Sequence, residues 1–176
     1  TPSYNKLIIS FDLEKINFNK VKEIIKDLKI DIQNKKNIKK IKIPICCEDG
    51  LSLDFKRLSK LTDKSKSEIL DYFFKKEYFC YMTGFIAGMP FLGDINEEIR
   101  CERLETPRVK IPRGSVGLTE QFANIYSSES PGGWNIIGNT PVGIFDKSNE
   151  VSPNLIGPGD KVKFYSITKE QYDNWK

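Results

Sequence analysis

The sequence predicts an α+β chain, with an α/β segment over residues 1–76 and an all-β segment over residues 77–176. Three observations carry this. Apolar residues recur at helical spacing in separate stretches before residue 77. Nearly all of the glycines and prolines fall after it. Between those glycines and prolines lie short apolar runs bounded by turn signals, the pattern of a barrel or sandwich of short strands.

Element by element, Tyr4–Phe11 carries Leu7, Ile8, Ile9 and Phe11 and reads as a strand. Asn17 is placed to cap a helix whose apolar face is Phe18, Val21, Ile24, Ile25 and Leu28. Lys35–Lys42 is a lysine-rich linker or edge. Ile38, Ile41, Ile43 and Ile45 mark a strand stopped near Pro44. A second helix starts at Asp54 with Phe55, Leu58 and Leu61 on one face. Ser65 and Glu68 form a capping box for a third, burying Ile69, Leu70, Phe73 and Phe74. The strands expected after Lys76–Tyr78 are Phe79–Phe85, Ser115–Leu118, Asn124–Tyr126, Trp134–Ile137, Val142–Phe145 and Lys161–Ile167. Gly157–Asp160 reads as a tight turn before the last of these.

The totals narrow the function. The 176 residues suffice for one domain or two small ones, and 39% hydrophobic with 30% charged residues is a globular composition. The 28 basic residues stand against 24 acidic ones, a weaker bias than a dedicated nucleic-acid binder carries. The longest apolar run, Tyr78–Gly93, is broken by Gly84, Gly88 and Pro90, so no membrane span is expected. No signal-peptide pattern is present, and a start at Thr1 rather than Met suggests a missing upstream segment. Cys46, Cys47, Cys80 and Cys101 have no CxxC spacing and read as reduced, buried thiols of a cytoplasmic protein, with no metal site. There is no histidine, which excludes Ser-His-Asp and Cys-His catalysis within this chain. Acid–base chemistry here must use carboxylates, lysines, tyrosines or a partner's residues.

Local motifs offer several sites, each with a plainer alternative. The helix pair over residues 54–75 bears Lys56, Arg57, Lys60, Lys64 and Lys66 and resembles a helix-turn-helix. Asp71-Tyr72-Phe73-Phe74 in its second helix is too apolar to read base edges, which favours a solvated helical face. No GxxxxGK[ST] occurs, so no residue of this chain indicates a nucleotide site. In Ser130-Pro131-Gly132-Gly133-Trp134 the paired glycines let backbone N–H groups converge on an oxygen, or make a hairpin turn anchored by Trp134. Thr106-Pro107-Arg108 and Ile111-Pro112-Arg113-Gly114-Ser115 form a proline-stiffened basic loop. Arg108 or Arg113 there can grip a carboxylate, or can be solvated.

In order the motifs read Gly84-Phe85-x-x-Gly88-x-Pro90-Phe91-Leu92-Gly93, Thr106-Pro107-Arg108, Ile111-Pro112-x-Gly114-Ser115-Val116-Gly117 and Ile125-Tyr126. Next come Ser130-Pro131-Gly132-Gly133-Trp134, Ile137-Gly138-x-Thr140-Pro141, Phe145-Asp146 and Pro158-Gly159-Asp160-x-Val162-x-Phe164. This series resembles the allophanate hydrolase subunit 1 family, whose relatives include the 5-oxoprolinase B subunit, a sporulation-kinase inhibitor and part of the carboxyltransferase region of urea carboxylase. The resemblance is specific over Tyr78–Phe164 and weaker upstream. It implies a truncated, ferredoxin-like N-terminal α/β domain over residues 1–76 and a cyclophilin-like β-barrel over residues 77–176. Departures are Ala87 for a frequent proline, Asn139 for a frequent arginine, Asp94 for a second glycine, and no histidine before the first barrel strand.

The resemblance implies a cytoplasmic component of an ATP-dependent amide hydrolase acting on 5-oxoproline. It would act with a homologous second subunit and in some cases a third protein, without nucleic acid or membrane. ATP is implied for the complex, with no nucleotide motif in this chain. Substrate contacts are expected from Arg108, Ser115, Ser130, Gly132 and Gly133, with Arg108 gripping a carboxylate and the Gly132–Gly133 backbone contacting an oxyanion. Alternatives are an allophanate- or urea-related hydrolase or carboxyltransferase subunit, and a non-catalytic histidine-kinase inhibitor.

Overall fold

The computed structural model describes residues 2–4, 6–28 and 38–175. By compactness the chain divides into Thr1–Asn37 and Ile38–Lys176. In the first unit, strands β1 (Pro2–Ser3) and β2 (Lys6–Leu7) pair antiparallel about Tyr4, whose φ is 52°. Residues Ile8–Phe11, expected to extend a strand, lie outside any. Helix α1 (Phe18–Asp27) starts where expected. The Asn17 side chain accepts the Lys20 N–H at 3.0 Å, satisfying one of the orphan amides of the first turn. Phe18, Ile24, Ile25 and Leu28 are nevertheless exposed. Residues 35–37 of the expected lysine-rich linker lie outside the described residues.

The second unit holds a seven-stranded sheet. Its strands are β3 (Lys40–Ile45), β4 (Tyr78–Thr83), β5 (Pro90–Gly93), β7 (Ser115–Thr119), β8 (Phe122–Ile125), β10 (Asn135–Asn139) and β11 (Lys161–Ser166), in the order β10-β7-β8-β5-β4-β11-β3. All neighbours are antiparallel except β3 and β11, which run parallel. The two end strands then meet. Cys46 and Asn139 exchange both backbone hydrogen bonds, at 2.9 and 3.0 Å, and bring the sheet nearly to a closed barrel. Gly138 permits this approach, because a Cβ there would lie 2.6 Å from the Cys46 carbonyl oxygen. A separate two-stranded ribbon joins β6 (Arg108–Ile111) to β9 (Ser130–Gly132).

Pro44 does not stop β3. As a terminal strand, β3 has one in-sheet neighbour, so the missing proline N–H costs no ladder hydrogen bond on the outer side. Strands β5, β6 and β9 are not among those expected from the sequence. Val142–Phe145 forms no strand, only a bridge between Phe145 and Asn154.

Helices α2 (Phe55–Thr62) and α3 (Lys66–Lys75) belong to this same unit. The Ser65–Glu68 capping box forms reciprocally. Helix α3 packs on β11, stacking Phe73 against Phe164 and Tyr78 with ring centroids 4.9 and 5.3 Å apart. The buried Tyr78 hydroxyl donates to the Phe73 carbonyl at 2.8 Å, so its polar atom is satisfied inside the core. A short helix α4 (Lys169–Asp173) follows β11, and the Tyr172 hydroxyl donates to Asn139 at 2.8 Å beside the closure point. A smaller apolar cluster of Met89, Ile111, Tyr126 and Ile136 lies between the sheet and the ribbon.

Candidate functional site

Ribbon register is the first determinant of the site. Arg108 of β6 stands opposite Gly132 of β9, and Ile111 opposite Ser130. Next to the glycine end lies a cavity of about 520 Å³ whose walls include Phe91, Phe122 and Trp134, with Met89, Tyr126, Gly132 and Gly133 among its other lining residues. The aromatic rings meet edge to face, Phe91 with Trp134 at 5.5 Å and Phe91 with Phe122 at 6.1 Å, so they form a preorganised apolar wall. Arg103 and Glu120 supply charge at the same cavity, and both are exposed.

Gly132 and Gly133 both line the cavity as expected, but they differ in what surrounds them. A Cβ on Gly132 would lie 2.2 Å from the Tyr126 hydroxyl and 2.7 Å from Ile111 Cδ1. A Cβ on Gly133 would meet nothing closer than 3.5 Å. Close packing therefore requires glycine at the first position and not at the second.

Arg108 is divided in its commitments. Its Nη2 donates to the buried Asp54 carboxylate at 2.6 Å, whose other oxygen accepts the Ile136 N–H at 2.6 Å. Its Nη1 is buried without a hydrogen-bond partner among the described residues. Ser130 is buried and donates its hydroxyl to the Pro131 carbonyl at 3.3 Å. Ser115 is buried on β7, where its hydroxyl accepts from Asn139 at 3.4 Å. Of the five expected residues Gly132 and Gly133 line the cavity; Arg108 stands across the ribbon from Gly132 without lining it, and the two serine hydroxyls sit in packed positions. Arg113, the other candidate arginine, lies beside Gly143 at a separate depression that also holds Ser128 and Lys147.

Of the five helix-pair cations, Lys56 and Lys60 are exposed and the other three have partners. Arg57 donates to the Asn135 side chain at 2.7 Å and to the Glu102 carbonyl, Lys64 pairs with Glu98 at 2.7 Å, and Lys66 pairs with Asp49 and lies over the Phe55 ring.

Three residues at the site are not singled out as site residues by the sequence: Asp54, read as a helix start, Asn124, and Tyr126, which figures only in the Ile125-Tyr126 motif. Asp54 begins α2 without capping it; its carboxylate turns instead to Arg108 and the β10 backbone. Asn124 accepts the Gly117 N–H through Oδ1 at 3.1 Å, which directs its amide nitrogen to Met89 Sδ at 3.9 Å, a weak contact. Burial raises the Tyr126 phenol above its ordinary pKa, offset by the neighbouring Asn124 amide, the Trp134 backbone and the charges of Arg108 and Arg103. Cysteines stand apart from this chemistry. Burial pushes the Cys47 and Cys80 thiols up to about 12 and Cys101 to about 11, so they are protonated, unreactive core groups at neutral pH. Among the described residues no cluster of three or more His, Cys, Asp or Glu could hold a metal ion, and no helix is long and apolar enough to cross a membrane.

Known proteins share this architecture. The family model for the carboxyltransferase domain, subdomain C and D, matches residues 1–156. The 5-oxoprolinase B subunit of Bacillus subtilis is 30% identical, over 99% of this chain and 78% of its own length. That of Haemophilus influenzae is 38% identical over 70% of this chain, and the match spans 58% of the relative. Among solved structures, a conserved uncharacterized protein from Pyrococcus horikoshii superposes with a TM-score of 0.72 at 31% identity, covering 92% of this chain and 74% of the other. The Kluyveromyces lactis urea amidolyase, at 22% identity and a TM-score of 0.73, shares the fold over 93% of this chain but only 12% of its own. The chain belongs to the carboxyltransferase-domain family, subdomains C and D, in which the 5-oxoprolinase B subunit is also found.

Proposed function

We propose that this chain is a cytoplasmic component of an ATP-dependent amide hydrolase whose substrate is 5-oxoproline, working with a homologous second subunit and in some assemblies a third. The observation that carries the reading is the cavity beside Gly132 and Gly133, in a chain 30% and 38% identical to two proteins named as the B subunit of 5-oxoprolinase. 5-Oxoproline has a small ring with apolar methylenes, a lactam and a carboxylate. The aromatic wall suits the ring, and Arg108 and Arg103 supply the field a carboxylate needs.

ATP supplies the driving force for opening an unstrained lactam. The cavity wall is aromatic and apolar, with one arginine lining it, and does not fit a triphosphate. The nucleotide is therefore assigned to the partner subunits, and this chain's part is to bind and orient the substrate. With no histidine in the chain, proton transfer also falls to other groups.

A urea-related substrate is the second reading, favoured by relatives named urea amidolyase at 25% and 26% identity that align over nearly the whole chain. The deciding experiment is ATP hydrolysis by the assembled subunits with and without 5-oxoproline. Stimulation supports the first reading. Stimulation by urea or allophanate alone supports the second, and no stimulation of a demonstrably assembled complex sinks both.

A further inference from the structure

Among the described residues the core leaves three hydrogen-bond donors unused or nearly so, grouped about the Tyr126 phenol beside Gly132. Tyr126 is fully buried, and its hydroxyl has no hydrogen-bond partner among the described residues. The Asn124 amide and Trp134 backbone are its neighbours, but neither meets hydrogen-bond geometry. Arg108 Nη1 is likewise buried and unpartnered. The Asn124 amide nitrogen has only the Met89 sulfur. Strand register and close packing bring them together. Asn124 and Tyr126 are two residues apart and so share a face, Arg108 is the cross-strand partner of Gly132, and the Gly132 α-carbon lies against the Tyr126 hydroxyl. Tyr126, Met89 and Gly132 all line the cavity.

Folding alone does not favour such an arrangement, because most buried polar groups are paired, as Tyr78, Asn135 and Asp54 are here; the other buried unpartnered side-chain atom among the described residues, Asn154 Oδ1, is an acceptor and not a donor. The three groups share a sign. Each offers a proton, the guanidinium adds positive charge, and burial keeps the phenol in its protonated, donating form.

We propose that Tyr126 Oη forms the floor of the cavity that receives the carboxylate or carbonyl oxygen of a small ligand, with Arg108 Nη1 and the Asn124 amide set behind the phenol, outside the cavity lining. This rests on the cavity being the substrate site. It goes further in making the phenol a direct binding contact, and in assigning the polar end of the ligand to the floor and its apolar body to the Phe91–Trp134 wall.

Tyr126→Phe tests it, since the ring and its packing stay and only the hydroxyl goes. The full chain, wild type and variant, is titrated with sodium 5-oxoproline and separately with sodium benzoate, a carboxylate on an unrelated apolar ring, and its melting temperature is measured without ligand. The expected result is carboxylate binding weakened about tenfold or more in the variant, with a melting temperature equal to or above wild type. Equal affinity in both proteins, a lower melting temperature with affinity unchanged, or binding of neither carboxylate to wild type would overturn the proposal. Tyr126-dependent binding of benzoate without binding of 5-oxoproline upholds the floor and sinks the 5-oxoproline reading. Binding of 5-oxoproline indifferent to Tyr126 does the reverse.

Discussion

Asp54 and Arg108 are 54 residues apart in the chain and 2.6 Å apart in space, the carboxylate buried and the guanidinium 29% exposed on its side chain. The pair ties the start of α2 to the ribbon at the cavity. Arg108→Ala removes the counter-charge and strands a buried carboxylate. A loss of about 3 kcal/mol in unfolding free energy is expected, at the lower end for a buried pair because the arginine is partly solvated. Asp54→Asn combined with Arg108→Gln restores much of it by leaving a neutral amide pair. Urea unfolding of these proteins and of the single variants Asp54→Asn and Arg108→Gln checks this, and additive losses in the double variant would contradict the pairing.

The two cavity glycines should separate fold from function. Gly132→Ala forces a methyl into the Tyr126 hydroxyl and Ile111, an overpacking worth about 1–3 kcal/mol. Gly133→Ala has room and should leave the melting temperature within a degree or two of wild type while narrowing the cavity. Thermal melts, together with 5-oxoproline-stimulated ATPase of the assembled subunits, read both effects. A destabilised Gly133→Ala would contradict the packing described.

Stability should fall at alkaline pH, and the thiols give the sign. Cys47, Cys80 and Cys101 hold their protons more tightly folded than unfolded, with pKa values of about 12, 12 and 11 against an ordinary 9.0. Below pH 9 both states are protonated and the stability is fully present. Above it the unfolded chain ionises first, and each thiol removes about 1.4 kcal/mol per pH unit until its folded pKa is reached. Cys80→Ala should flatten the slope of unfolding free energy between pH 9 and 11 by one thiol's share, whatever its cost at pH 7. An unchanged slope would count against the buried thiol.

Core packing of α3 offers a further check. Phe73 is fully buried against Phe164 and Tyr78, so Phe73→Ala should cost about 3–5 kcal/mol, measured by denaturant midpoint. The same change at exposed Phe85 should be nearly silent in stability, and any effect there belongs to the cavity it lines.

What is legible in the sequence is local. Asn17 and the Ser65–Glu68 box announce helix starts because a cap is satisfied within four residues. The end of α3 at Lys75 coincides with the change of texture at Lys76–Tyr78, yet both sides of it pack in one compact unit. Gly132 and Gly133 stand out through their spacing, and Arg108 through its proline-stiffened loop. Its partner Asp54 is hidden because nothing in Leu53-Asp54-Phe55 distinguishes a counter-ion from a helix cap. Asn124 reads only as a strand residue and Tyr126 as a strand residue within the Ile125-Tyr126 motif, since an unpaired hydroxyl is defined by neighbours from other strands. Strands β5, β6 and β9 escape notice because proline or glycine interrupts or bounds each of them. Tyr4–Phe11 fails in the opposite sense: apolar content alone does not supply a partner for Ile8–Phe11.

The parallel pairing of Lys40–Ile45 with Lys161–Ser166 has a consequence for how the protein is made. During synthesis the earlier strand leaves the ribosome long before its in-sheet neighbour has been translated, and it must wait as an apolar segment with bare backbone groups. The complete ring therefore cannot exist until residues 161–166 have been made. A chain interrupted before residue 161 would carry that strand, together with the unsatisfied side of β4, as adhesive edges, and would meet chaperones or other copies of itself before it met its own end.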